Sequence, residues 1–166
     1  MRPSLLGLLR VVYVVTAALL MTTVLPRLGV PVPFVPDLVL IGVVSSAVLR
    51  GPVHGALVGL AAGWVLELVP PVGAPMGLLA LTLMLAGAVA GSFRRTSAGS
   101  WLRPLVALVV AGVLVLTGRA ASAVLAEGGL DLTAALATLT ATIGAGLIVL
   151  PVLVAVDRAL VRRRLG

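Results

Sequence analysis

Long apolar stretches alternate with short clusters of arginine, glycine and proline along almost the whole chain. An apolar run of about 17–25 residues is long enough to cross the hydrocarbon core as a helix. The pattern predicts six such helices, over residues 11–25, 36–49, 53–69, 76–93, 104–125 and 132–156. Between them lie the breakers: Pro26, Pro31, Pro33 and Pro36, then Gly51-Pro52, Pro70-Pro71, Pro75 and Pro104, and Glu127 to Asp131. Strands do not fit, because a lone strand leaves its backbone unsatisfied in lipid and no alternating barrel pattern is present. The second stretch is the short one. Its fourteen residues rise only about 21 Å as a helix, so a re-entrant segment and five crossings have to be weighed against six.

The arginines decide between them. With six crossings and the N-terminus inside, the cytoplasmic segments hold Arg2, Arg10, Arg50, Arg94, Arg95, Arg103, Arg158, Arg162, Arg163 and Arg164, and the external loops hold Arg27 alone. Asp37, Glu67, Glu127 and Asp131 lie at or near the external face. This is the asymmetry of the positive-inside rule. If the second stretch did not cross, the Arg94–Arg103 loop and the arginine-rich tail would both move outside. The expected architecture is therefore an all-α integral membrane protein, a single six-helix transmembrane domain over residues 1–166 with both termini cytoplasmic. Arg2 and Arg10 before an apolar run resemble a signal peptide, but Leu19-Leu20-Met21-Thr22-Thr23 offers no small-x-small cleavage site, so the first helix is read as retained. The connecting loops are too short for a soluble domain.

Composition agrees. The chain is 61% hydrophobic and 10% charged, with a mean hydropathy of +1.27, against about 25% charged in a soluble domain. With no cysteine and one histidine, thiol chemistry and Cys- or His-rich metal centres are excluded. The formal charge of +7 comes from twelve arginines, without a lysine, against five acidic residues. In a membrane chain these orient helices and bind anionic lipid headgroups, so nucleic acid is not an expected partner. The basic tail Arg158, Arg162, Arg163 and Arg164 is the candidate headgroup contact.

Two constellations stand out. Gly55, Gly59 and Gly63 share one face of the third helix, and Gly87 and Gly91 repeat the device on the fourth. Small residues at every fourth position let helix backbones approach where lipid supplies no hydrophobic drive, so this is a candidate face for internal packing or for a partner helix. Asp37, Glu67 and Arg119 are the charges nearest the hydrocarbon and form a candidate outer-leaflet polar cluster. Asp37 can cap the second helix, and Arg119 calls for Asp37 or Glu67 as its partner, or for snorkelling to the interface. His54 sits at the inner mouth of the third helix without a nearby carboxylate, and Trp64 and Trp101 suit interfacial positions. No phosphate-binding glycine loop, nucleophile–His–acid set or HExxH is present, so catalysis and cofactors are not expected.

The order of these pieces resembles the rod shape-determining protein MreD family. Leu25-Pro26-Arg27-Leu28-Gly29, a proline-rich external loop and Pro36-Asp37-Leu38 come first. Leu49-Arg50-Gly51-Pro52-Val53-His54-Gly55 then leads through Gly59 and Gly63 to Trp64-Val65-Leu66-Glu67, followed by Gly77-Leu78-Leu79-Ala80-Leu81, Gly87 to Gly91 and Arg94-Arg95. The resemblance covers about residues 11–95, and the last two helices match in length, hydrophobicity and basic C-terminus. The sequence departs from the family where Glu67 replaces the usual aspartate and Leu60 the usual aromatic. The resemblance implies a small multi-pass protein of the bacterial cytoplasmic membrane that works in cell elongation with MreC, MreB, RodA and a class B penicillin-binding protein. It implies no enzymatic activity, and a fold like the substrate-binding subunits of energy-coupling-factor vitamin transporters. The expected function is a non-catalytic scaffold of peptidoglycan synthesis that binds an MreC-type partner. The alternative is a substrate-binding subunit of such a transporter, though the first helix, Val15-Thr16-Ala17-Ala18-Leu19-Leu20-Met21-Thr22, lacks that family's Ala-x-x-x-Ala docking spacing.

Overall fold

The computed structural model describes residues 5–29, 31, 34–68, 76–94, 102–125 and 131–162, and the side chains of all of these but 5–11, 26 and 157–162. Among them the fold is all-helical, without strands. Helix α1 (Leu5–Leu19) continues through a π-helical turn (Leu20–Val24) into a last turn at Leu25–Arg27. It is followed by α2 (Leu38–Arg50), α3 (Pro52–Leu68), α4 (Leu78–Ser92), α5 (Leu102–Leu125) and α6 (Leu132–Arg162).

Each predicted apolar stretch contains a helix, but three helices outrun the apolar pattern, α5 by starting at Leu102 so that the expected breaker Pro104 lies in its first turn. α1 begins before Arg10 and α6 runs past Val156 to Arg162. A charge ends an apolar run without ending a helix, since arginine is itself a good helix former. Two segments, Leu102–Leu125 and Leu132–Val156, are long and apolar enough to cross a membrane, while the other four helices are apolar but shorter.

The shortest full helix is the centre of the molecule. α2 packs against each of the other five helices, and every residue from Val39 to Ala47 is buried. Ser45 and Ser46 in this run donate their hydroxyls to the carbonyls of Gly42 and Val43, so no polar side chain in the run is left to water. Around α2 the packing runs from α1 to α3, α4, α5 and α6 in chain order. Val14, Ala17 and Ala18 of α1, Leu83, Ala86 and Ala90 of α4, Ala107, Leu108 and Ala111 of α5, and Leu150 of α6 complete one continuous core.

Local chemistry fixes the ends. α2 and α3 are joined by Gly51 alone. Its φ of 101° is open to glycine at no steric cost, and Pro52 opens α3 at the position where a missing N–H matters least. The Arg94 guanidinium reaches back across this turn and donates to the Arg50 carbonyl at 3.0 Å, adding positive charge at the C-terminus of α2. At the start of α6, Asp131 accepts from the Thr133 hydroxyl and the Thr133 and Ala134 N–H groups. The Thr133 hydroxyl above all, then Ala134, holds its carboxyl below the ordinary aspartate range.

Candidate functional site

The glycines predicted to form a close-contact face lie inside the molecule, where α3 meets α4. A β-carbon built on Gly55 would overlap the Gly87 carbonyl, and one built on Gly87 would overlap the Gly55 carbonyl. One turn on, Gly59 faces the Leu83 carbonyl, and beyond it Gly63 faces the backbone of Ala80. At the other end Gly91 rests on Gly51 and Pro52. The two antiparallel helices thus touch backbone to backbone along their length, and the glycine face is occupied by its own chain. Dispersion between closely approached backbones is what holds such a pair where lipid competes equally for apolar surface.

The three charges do not form one cluster. Asp37 and Arg119 meet through Oδ2 and Nη2 at 3.1 Å. Glu67 is engaged elsewhere, accepting from the N–H groups of Gly77 (2.9 Å), Leu79 (3.0 Å) and Ala80 (3.3 Å). The reason is local. Gly77, in the N-cap position of α4, has no side chain with which to satisfy the exposed N–H groups of the first turn, so the carboxylate at the end of α3 does so instead. Glu67→Ala is expected to lower stability in detergent by about 1–2 kcal/mol, with Glu67→Gln between it and the parent. Equal melting temperatures for all three would remove this role.

The Asp37 site is built from four helices. Asp37 caps α2, taking the Leu40 N–H on Oδ1 at 2.9 Å while Oδ2 takes Arg119 of α5. Its own N–H donates to the Thr142 hydroxyl of α6 at 2.8 Å, and that hydroxyl donates to the Thr138 carbonyl at 2.7 Å. On the α1 side, the Tyr13 hydroxyl donates to the Leu38 carbonyl at 3.0 Å, and its ring covers Gly42, where a β-carbon would collide with it. The pair is lopsided: the Asp37 side chain is 5% exposed and that of Arg119 42%.

Beside the pair, a cleft of about 40 Å³ opens between α5 and α6, floored by Leu40 and walled by Val115, Leu116 and Leu139. The lack of a side chain at Gly112 forms part of its wall. It holds a water or a few methylene groups, far less than the 300–1,000 Å³ typical of sites that enclose a whole small molecule. Among the described residues no three metal-ligating side chains converge.

Of the remaining expected residues, His54 is half-buried in the first turn of α3 and Trp64 is exposed on the same helix. Arg158 and Arg162 lie on the last turns of α6, their side chains outside the description, and Arg163, Arg164 and Trp101 lie outside the described residues altogether. Tyr13, Thr138 and Thr142 were not foreseen. Their one signal is that they are hydroxyl side chains set within apolar runs. No family model, curated protein or solved structure matches this chain.

Proposed function

We propose that this chain is a six-span, non-catalytic scaffold of the bacterial cytoplasmic membrane. It supports elongation-type peptidoglycan synthesis by holding an MreC-type partner, in the company of RodA, a class B penicillin-binding protein and MreB. The reading rests on one observation: the ordered motif run of residues 25–95, with its resemblance to the MreD family. The roles its residues take in the fold support it. Asp37 after Pro36 is the buried cap of the central helix, Gly51-Pro52 is the α2–α3 turn, and the glycine repeats join α3 to α4.

The six-span topology draws support from the sorting of charge. Asp37 and Glu67 cluster with helix ends opposite to those that carry Arg50 and Arg94, as the arginine asymmetry requires. With such short loops, the chain acts on an external wall through helices it meets in the bilayer. Because its glycines are occupied internally, the surface offered to a partner is the apolar outside of the bundle.

Two measurements test this. A reporter fused after Gly166 is expected to function only in the cytoplasm, and a cysteine at Ser97 to resist external labelling. Depletion is expected to round or widen rod-shaped cells, with loss of MreC-type co-purification. Normal shape after deletion, together with specific binding of a vitamin-sized ligand, would overturn the scaffold in favour of the transporter subunit.

A further inference from the structure

The Arg119 guanidinium carries five N–H donors, and one hydrogen bond, from Nη2, goes to Asp37. The carboxylate is buried and takes one donor on each oxygen, while 42% of the arginine side chain faces out of the bundle beside the α5–α6 cleft. Arg119 lies six residues before the end of α5 at Leu125, about 9 Å along the axis. α5 and α6 are the two helices long and apolar enough to cross a membrane. That distance is close to an arginine side chain's span, so a headgroup phosphate can meet the guanidinium while Nη2 stays on Asp37. Below it the cleft is walled by Leu40, Val115, Leu116 and Leu139. A fork of donors at headgroup level above a narrow apolar slot matches a phosphate group carried on a hydrocarbon chain. Guanidinium binds phosphate through paired N–H donors, and the slot takes a few methylenes of the chain rather than a whole ligand.

We propose that the α5–α6 cleft is a binding site for the phosphate of an outer-leaflet phospholipid, held by Arg119, with its chain against Leu116 and Leu139. Asp37 fixes one edge of the guanidinium and leaves the other for the phosphate. The proposal is independent of the scaffold function; the site needs only that α5 and α6 cross a membrane, and its leaflet rests on the topology proposed above. A chain that stays monodisperse in water without detergent would fail the membrane reading, whereas absence of lipid binding in detergent would fail the site.

The test is native mass spectrometry of the full chain in a neutral detergent, titrated with phosphatidylglycerol, with diacylglycerol of the same chains, and with inorganic phosphate as competitor. The parent is expected to bind one phosphatidylglycerol about tenfold or more tighter than either of two variants, and not to bind diacylglycerol. Asp37→Asn/Arg119→Gln removes both charges while leaving an acceptor for the Leu40 N–H, so the fold survives loss of the guanidinium. Leu116→Phe narrows the slot and leaves the ion pair intact. The tail arginines are unchanged in both variants, so their lipid contacts cancel. Displacement of the lipid by millimolar inorganic phosphate would assign the site to free phosphate, and no displacement assigns it to the lipid. Equal retention by the parent and both variants, or retention of diacylglycerol as readily as phosphatidylglycerol, would overturn the proposal.

Discussion

Gly59→Leu is expected to unfold the bundle at temperatures where the parent is stable. The position has no room even for a methyl group, because a β-carbon there falls on the Leu83 carbonyl and close to the Met84 backbone. Backbone cannot rotate away as a side-chain tip can, so α3 and α4 must separate, and the losses spread to Gly55–Gly87 and Gly63–Ala80 on either side. Overpacking typically costs about 1–3 kcal/mol. With three neighbouring contacts opened together, about 3 kcal/mol or more is expected here. Gly144→Ala is the matched control. It is an exposed glycine on α6 with nothing within 4 Å of an added β-carbon, and the substitution should be neutral or stabilising by up to about 1 kcal/mol through helix propensity alone. Thermal unfolding in detergent decides the matter: similar melting temperatures for the two variants would mean that the glycine contact is not what joins α3 to α4.

The second large effect is expected at the ion pair. Arg119→Leu leaves a buried carboxylate with the Leu40 N–H as its remaining donor. Half of the arginine was already exposed, so the loss should fall below that of a fully buried pair, at about 2–3 kcal/mol. Asp37→Asn keeps the helix cap while removing the charge. Combined with Arg119→Leu, it is expected to restore most of the stability, because the two groups share one interaction. A double variant whose loss equals the sum of the single losses would mean that the 3.1 Å contact contributes nothing. The cycle is best run by thermal melts in one detergent, since micelle thickness alters the exposure of Arg119.

The sequence carried the helices, and the reason is that outward-facing and buried surfaces are both apolar here. Runs bounded by arginine and proline therefore mark helices without any need for periodicity. The same fact hid the interior. α2 looked doubtful from its length, yet it is the most deeply buried helix, because length reports on what a helix could span alone and not on how many neighbours surround it. The Asp37–Arg119 pair was legible as one of three options, beside a Glu67–Arg119 pair and an arginine extended to an interface. What ruled out Glu67 was Gly77, ten residues on. A helix start with no capping side chain of its own needs an acceptor from outside, and that need could have been noticed. Nothing marked Thr142 as the acceptor for the Asp37 N–H, because that contact spans 105 residues and depends on how α6 crosses α2.

The separation of Asp37 from Arg119 along the chain has a consequence for biosynthesis. The two residues are 82 positions apart. At about 5–20 residues per second, a ribosome makes the carboxylate roughly 4–16 s before its cation. Through that interval the carboxylate that caps the nascent α2 has no counter-charge. The cap of α2 is therefore completed by the C-terminal half of the chain, and because α5 and α6 also cover α2, a nascent chain arrested before residue 119 should leave α2 open to proteolysis although α1 to α4 have already been made.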